Sequence, residues 1–343
     1  MGVLRRLARA RLAARVMRRL RRAGATGVRY DARTFQIRWS APGEDVPTIV
    51  ELADFPSARR KVVDHHLAGV LLPAGLPPAW SEVRPLLRPV LRGVTPGAPL
   101  RRPVLPFLYE HVVVDHPETM TYVTADQPAR WGVRPEQVFA AARANLSGAV
   151  LQGEATDPVV VHFVDDGDSY WVSHLLLEHW LERLAAQVGG VPVAFAPERG
   201  TLLVTADGSR HLPGLFARAE EIYAKSLRPI TPMAYVSDAH GCTVPYDAPP
   251  GHPLHQAVGR ARRILAVQQY TLQKAELADP AADLELIGDE ATGWRTRAVW
   301  TGDGPALLPE ADEVRLGDRV VSWADLSPAR EDGYEPPRWS FKN

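Results

Sequence analysis

Nine prolines fall between residues 73 and 106, and this density limits what the chain can fold into more than any other sequence feature. Proline removes a backbone N–H donor and fixes φ, so neither a long helix nor a central β-strand accommodates it this often. We therefore expect residues 73–106 to form an ordered surface connection between an N-terminal part and a larger body.

Hydrophobic periodicity predicts strands and helices on both sides of that connection. Alternation predicts a hairpin over residues 28–39, and helical spacing predicts a helix over 57–72. Strand patterns recur at 109–114 and 120–124, before a helix that begins at Pro135. The sequence thus predicts an α+β fold: a mixed or antiparallel sheet body with flanking helices, a basic N-terminal helix and a small C-terminal β unit.

The same patterns divide the chain into four segments. They are a basic helical arm (1–24), an N-terminal ββαβ-like part with the proline-rich connection (25–106), an α+β body (107–252), and a long helix with a small β unit and tail (253–343). The tail, which starts near Ser327, is polar and rich in proline, and this composition predicts mobility.

Residues 1–30 contain ten arginines and no acidic residue. The chain has 40 Lys and Arg against 40 Asp and Glu, so residues 31–343 have a formal charge of about −10. A block of like charges repels itself, so the basic arm requires a counter-surface. The anion-binding residues that we expect in this arm are Arg5, Arg6, Arg9, Arg11, Arg15, Arg18 and Arg19.

Three counter-surfaces can neutralise the arm: the chain's own acidic surface, an anionic lipid headgroup layer, or nucleic-acid phosphate. On a helical wheel Val3, Leu4 and Leu7 share one side, but Leu12 lies about 140° from Leu7, which argues against one sustained membrane-inserting face. Residues 1–24 have no aromatic side chain to stack on bases, which disfavours nucleic acid. A helix folded against the body is favoured, with a peripheral anionic membrane surface or a protein partner as the alternatives.

Other sequence features exclude several classes of protein. The apolar stretches are far shorter than the ~18–20 residues of a membrane span, and the arginine-rich start does not lead into the apolar core of a signal peptide. Cys242 is the only cysteine, which excludes an internal disulfide framework and a Cys-rich zinc site. We therefore expect a cytoplasmic protein without a bound cofactor.

Residues 165–179 hold the best candidates for a metal site. A helix predicted over 173–188 would place His174 and Glu178 on one face, just after a predicted turn that contains Asp166 and Asp168. Carboxylate oxygens and imidazole nitrogens are ligands for divalent cations. The alternative interpretation is an exposed His–Glu pair beside an ordinary Asp-rich turn.

The chain lacks the sequence motifs of common hydrolases and nucleotide-binding enzymes. Cys242 lies two residues after His240, but Gly241 between them predicts a turn, so we expect a buried, inert strand cysteine. The leading hypothesis is a non-catalytic binding or interaction protein. The alternative is a metal-assisted or hydrolase-like enzyme that uses residues 165–178.

Several segments within residues 25–250 resemble the YtpQ-like bacterial family of unknown function. Residues 28–39 and 48–52 are similar to the opening hairpin and first apolar strand of that family. Residues 122–146, which end in Asn145-Leu146, resemble its block of strand, short step and helix, and residues 202–207 are similar to a later strand. The resemblance implies a cytosolic α/β body with no assigned activity, and it supplies no functional residues.

Overall fold

A computed structural model describes most of the chain. The described residues are 3–22, 25–40, 48–52, 76–93, 95, 99–116, 119–146, 148–149, 151, 153–157, 159–164, 170–300 and 306–340, without the side chains of 3–8, 50, 51 and 119. The helix predicted over 57–72 and the predicted metal ligands Asp166 and Asp168 lie outside these ranges. Helices and several antiparallel sheets confirm the α+β class.

Four helices of ten or more residues lie in the described ranges: α1 (Val3–Arg22), α2 (Pro135–Ala144), α3 (Leu212–Lys225) and α4 (His255–Lys274). Shorter helical turns are Trp80–Val83, Arg84–Leu86, Gln127–Arg130, Trp171–Leu176, Leu181–Leu184, Ala185–Val188 and Trp323–Asp325. The strands are β1 (Thr26–Asp31), β2 (Gln36–Ser40), β3 (Thr48–Glu51), β4 (Leu87–Arg92), β5 (Arg101–Leu105), β6 (Leu108–His116), β7 (Thr119–Tyr122), β8 (Val161–Val164), β9 (Pro192–Glu198), β10 (Thr201–Ala206), β11 (Ala234–Ser237), β12 (Thr243–Pro245), β13 (Asp283–Asp289), β14 (Gly293–Trp300), β15 (Glu313–Leu316), β16 (Arg319–Ser322), β17 (Ala329–Glu331) and β18 (Arg338–Ser340).

The first compact unit, unit 1, comprises residues 1–102, 110–149 and 226–228. Its sheet has the strand order β1-β2-β3-β7-β6-β4, and β5 pairs with β6. β4 and β5 run through the proline-rich stretch, where the sequence predicts a connection. β4 stands at the end of the strand order, and an edge strand tolerates proline because one side of its backbone makes no ladder hydrogen bonds.

α1 packs its apolar side against the first hairpin of unit 1. The buried residues of this contact are Leu12, Ala13, Val16 and Leu20 of α1 and Phe35, Ile37 and Trp39 of the hairpin. The helical residues recur three or four positions apart and so share one side, and the hairpin residues alternate and so share one face. The basic arm is therefore part of the core of unit 1, and it packs on the first hairpin, which belongs to the N-terminal segment (25–106) and not to the predicted α+β body (107–252).

α2 packs against β4 in the other half of this sheet. Below it, Glu110 of β6 is fully buried and accepts hydrogen bonds from Nε of Arg102 at 2.6 Å and from Nη2 of Arg143 at 2.8 Å. A buried carboxylate costs several kcal/mol unless it is paired in this way. The two arginines therefore stabilise the fold of unit 1 by pairing with the buried carboxylate of Glu110.

The second compact unit, unit 2, comprises residues 103–109, 150–225 and 229–343. It contains an antiparallel sheet with the order β12-β11-β9-β10-β8. Every residue of β10 is buried, so this strand is covered on both faces. α3 packs against β9, where the rings of Phe195 and Phe216 lie 5.0 Å apart.

The C-terminal part of unit 2 has its own sheet, with the order β13-β14-β15-β16. β14 and β15 are parallel, and Leu284 of β13 pairs with Ala298 of β14. α4 packs against this sheet, and Tyr270 shares a core with Leu284, Ala298 and Val314. The predicted long helix and small C-terminal β unit are confirmed.

The end of the described chain is tied to α4. β17 pairs with β18, and Arg338 of β18 is fully buried. Its guanidinium donates to Oε1 of Gln273 at 2.7 Å and to the carbonyl oxygens of Tyr270 and Ala282, both at 3.1 Å. The prediction of a mobile tail is wrong for residues 329–340, because one buried arginine fixes them to the helix.

Candidate functional site

Four arginines form a stripe along the exposed side of α1. Arg11, Arg15, Arg18 and Arg22 fall within about 60° of one another on a helical wheel, away from the buried side. All four are exposed, and Arg19 is exposed at the edge of the group. Successive Cβ atoms at such spacings are about 5–6 Å apart. We call Arg11, Arg15, Arg18 and Arg22 the arginine stripe.

The arginine stripe lacks compensating negative charge on its own helix, because α1 contains no acidic residue. Arg11, Arg18 and Arg22 make no hydrogen bond or ion pair with any residue that the structure describes. Like charges three or four residues apart destabilise a helix by about 0.2–0.5 kcal/mol per pair. α1 tolerates this repulsion because a buried side chain such as Val16 or Leu20 contributes about 1.5–3 kcal/mol.

The rest of the predicted anion-binding set is placed differently. The guanidinium of Arg9 lies 4.6 Å from the ring centroid of Phe35, so this cation faces the hairpin. The side chains of Arg5 and Arg6 lie outside the described residues. Arg22, which the prediction omitted, belongs to the stripe, and its spacing of four residues from Arg18 is the signal that identifies it.

Charge is separated between the two compact units. Unit 1 has 24 Lys and Arg against 12 Asp and Glu, a formal net charge of +12, and unit 2 has 16 against 28, a formal net charge of −12. Nine of the 24 cations of unit 1 lie in α1, and the rest of the unit has 15 Lys and Arg against 12 Asp and Glu, so most of the excess positive charge stays on the helix, as the sequence predicts. The arginine stripe therefore belongs to a folded unit with a positive field, which attracts polyanions.

The prediction of one helix over 173–188 is wrong. Short helical turns replace it, and His179 between them has a left-handed φ of 58°. His174 is fully buried with Nδ1 3.1 Å from the carbonyl oxygen of Tyr170, whereas Glu178 is exposed. No three His, Cys, Asp or Glu side chains in the described ranges are grouped to hold a metal ion.

Cys242 is exposed rather than buried. The carboxylate of Asp238 accepts the backbone N–H groups of Cys242 and His240, both at 2.9 Å, and these bonds lower the pKa of Asp238. The ring of His179 lies directly against Gly241, but no hydrogen bond joins it to the Cys242 thiol in the described part of the chain. The turn is thus built around Asp238 and holds no assembled nucleophile–base pair.

Unit 2 contains a cleft that the sequence patterns do not predict. Its volume is about 750 Å³, which lies within the ~300–1,000 Å³ of small-ligand sites. α4 forms one wall, and residues 292–296 and 310–312 form the other. Gly259 and Ala266 on α4 line the cleft, and a Cβ at Gly259 would lie 2.8 Å from Nη1 of Arg263, so the guanidinium of Arg263 occupies the room that this glycine leaves.

One ion pair joins the two walls of this cleft. Arg263 donates through Nε and Nη2 to the two carboxylate oxygens of Asp312, at 3.0 and 3.2 Å. Oδ2 of Asp312 also accepts the N–H of Thr296 at 2.7 Å. Burial opposes ionisation of Asp312, but Arg263 and Thr296 outweigh it and hold the pKa of this carboxyl below its usual value.

Three charged side chains of the cleft remain outside this pairing. Arg262, Asp247 and Glu310 are exposed and have no side-chain partner among the residues that the structure describes. The unpaired charges of the cleft are therefore of both signs, unlike the purely cationic stripe on α1.

No family model matches the chain, and no curated protein or solved structure matches it either. The resemblance of residues 25–250 to the YtpQ-like family stays a prediction. No helix in the described ranges is long and apolar enough to cross a membrane. In the part of the chain that the structure describes, the arginine stripe and the cleft are thus the two candidate binding sites.

Proposed function

We propose that this protein is a non-catalytic binding protein that docks on an anionic membrane surface through the arginine stripe. The supporting observation is that the side chains of Arg11, Arg18 and Arg22 are exposed and have no anionic partner in the described ranges. They lie along one side of α1. The opposite side of the helix is buried, so its orientation is fixed and the cations point outward.

The energetics of such docking favour reversible binding. Each Arg near an anionic bilayer contributes about 1 kcal/mol, so Arg11, Arg18 and Arg22 contribute about 3 kcal/mol, which corresponds to a Kd of about 6 mM before long-range attraction is added. The net charge of +12 on unit 1 adds that attraction, within a Debye length of about 8–10 Å. The side chains of Leu12, Val16 and Leu20 are buried in the core of unit 1. The side of α1 that carries them therefore does not insert into lipid.

The composition of α1 favours lipid headgroups over nucleic acid. The helix contains only Val, Leu, Ala, Met and Arg, so it has no aromatic ring to stack on bases. The anionic leaflet is the cytoplasmic one, so the proposal makes this a cytoplasmic, peripheral protein.

Co-sedimentation with vesicles tests the proposal. The test variant combines Arg11→Gln, Arg18→Gln and Arg22→Gln, and the matched control combines Arg210→Gln, Arg319→Gln and Arg330→Gln, exposed arginines of unit 2. The wild type should pellet with vesicles that contain phosphatidylserine and not with pure phosphatidylcholine. The test variant should bind on the order of 100-fold more weakly, and the control should bind like the wild type.

Two results would contradict the proposal. Equal loss of binding in both variants would mean that net charge acts and that the arginine stripe has no special role. Stripe-dependent binding of duplex DNA without binding to phosphatidylserine vesicles would replace the membrane with nucleic acid.

A further inference from the structure

We propose that the cleft in unit 2 binds a short peptide by its two charged ends. This site is separate from the arginine stripe and does not depend on membrane docking. The proposal rests on the contacts between the two walls, on the charges that remain unpaired, and on the apolar surface of the cleft.

Two contacts join α4 to residues 310–312 on the facing wall of the cleft. Arg263 of α4 pairs with Asp312, and the hydroxyl of Tyr270 accepts the N–H of Glu310 at 3.4 Å. Glu310 and Asp312 are two residues apart, so their Cα atoms are at most about 7 Å apart, and Arg262 directly precedes Arg263 on α4. The cleft therefore has an exposed cation, Arg262, on the α4 wall and an exposed anion, Glu310, on the facing wall.

The unpaired charges define the chemistry of the ligand. Arg263 and Asp312 neutralise each other, which leaves the guanidinium of Arg262 and the carboxylates of Asp247 and Glu310. A peptide carboxylate matches a guanidinium, and a peptide ammonium matches a carboxylate. A short peptide with free ends carries both of these groups on one molecule.

The other charged residues of the cleft argue against a simple anion. Asp247 and His255 line it beyond Arg262, and Asp247 is a second exposed carboxylate. Arg295, also in the lining, has a carboxylate oxygen of Glu313 3.9 Å away. A ligand with negative charge alone would face two carboxylates, whereas a dipolar ligand satisfies both signs.

Apolar side chains also line the cleft. The rings of Phe107 and Tyr270 meet edge to face at 5.9 Å, and Ala266 and Ala311 add small apolar surface. Such a surface accepts the side chain of a central apolar or aromatic residue. The site therefore suits a short peptide with free ends and an apolar side chain.

Part of the opposite wall is held rigidly before any ligand binds. The guanidinium of Arg260 lies 3.8 Å from the ring centroid of Trp294, and it donates to both carboxylate oxygens of Glu220 at 2.7 and 2.6 Å. Trp294 is thus fixed in place, and a preformed site loses less entropy when a ligand binds.

Calorimetric titration of the full chain with three matched probes tests the proposal. The probes are the tripeptide Ala-Phe-Ala with free ends, its N-acetyl form and its C-terminal amide. The free peptide should bind at least about tenfold more tightly than either blocked form, because each block removes one charge-assisted contact. In Arg262→Gln the amide should bind as well as the free peptide, and in Glu310→Gln the acetyl form should.

Arg319→Gln, an exposed position of unit 2 outside the cleft lining, serves as the control and should keep the preference for free ends. The proposal is overturned if no probe binds, or if the three probes bind equally to the wild type. It is also overturned if Arg262→Gln and Glu310→Gln retain the wild-type preferences.

Discussion

Nε of Arg338 donates a 2.7 Å hydrogen bond to Oε1 of Gln273, and the guanidinium is fully buried. Its described acceptors are neutral oxygens, and the ring of Tyr270 lies 4.9 Å away. Burial lowers the pKa of Arg338 to about 10. The last described strand is therefore held to α4 by a buried cation whose loss would leave several polar groups unpaired.

We predict that Arg338→Ala destabilises the protein by about 3 kcal/mol, because it removes this network and leaves buried acceptors without donors. Arg330→Ala, at an exposed position of the neighbouring strand, should change stability by less than about 0.5 kcal/mol. Urea unfolding followed by far-UV circular dichroism measures both changes. Similar stability of the two variants would contradict the structural role of Arg338.

His111 of β6 makes the stability of unit 1 depend on pH. Burial, with Arg92 as a smaller cause, lowers the pKa of His111 from 6.5 to about 3. Between these values the unfolded chain binds a proton that the folded chain does not, so stability falls as the pH drops below 6.5, by about 1.4 kcal/mol per pH unit.

On moving from pH 7 to pH 5, the wild type should therefore lose about 2 kcal/mol more stability than His111→Leu. Urea unfolding at the two pH values gives both differences. His252→Leu, at an exposed position, should lose as much as the wild type. The buried-histidine mechanism fails if His111→Leu and the wild type lose the same amount.

Gly241 permits a close approach that no other residue allows. Its φ is +77°, and an added Cβ would overlap the ring of His179. Gly208 has a similar φ of +69° but open space around it. We expect Gly208→Ala to cost about 1 kcal/mol from backbone strain, and Gly241→Ala to cost about 1 kcal/mol more, since the ring of His179 must also move aside.

Thermal unfolding of the two glycine variants distinguishes backbone strain, which both share, from overlap with the His179 ring, which only Gly241→Ala has. A larger loss for Gly241→Ala is the expected result, and equal losses would mean that the His179 ring moves aside freely.

Because one side of α1 is buried in unit 1, substitutions on its buried and exposed sides should have different effects on stability. Leu20→Ala should destabilise unit 1 by about 2–5 kcal/mol, because it creates a cavity in the core. Arg18→Ala should leave stability within about 0.5 kcal/mol of the wild type, or raise it slightly by removing repulsion. Urea unfolding of both variants checks this, and a tolerated Leu20→Ala would disprove the docked helix.

Periodicity identified the elements whose local pattern agrees with their final environment. Residues 28–39 alternate clearly and form a hairpin, and the α4 region has helical spacing and forms one helix. Residues 173–188 also have helical spacing, yet they form short turns. The left-handed conformation at His179, where no Gly or Pro marks a break, accounts for the difference.

The two candidate sites differ in how far sequence could find them. The arginine stripe lies on one helix, so residue spacing alone places Arg11, Arg15 and Arg18 together. The cleft joins residues as distant in sequence as Phe107, Arg262 and Asp312. Their proximity depends on tertiary packing, which no local pattern reports.

The salt dependence of vesicle binding tests the central proposal most directly. The Kd of the wild type for phosphatidylserine vesicles should rise steeply between low and physiological ionic strength, because exposed charges are screened over about 8–10 Å. The variant with Arg11→Gln, Arg18→Gln and Arg22→Gln should show weak binding with little salt dependence. Equal affinity and equal salt dependence of the two proteins would contradict docking through the arginine stripe.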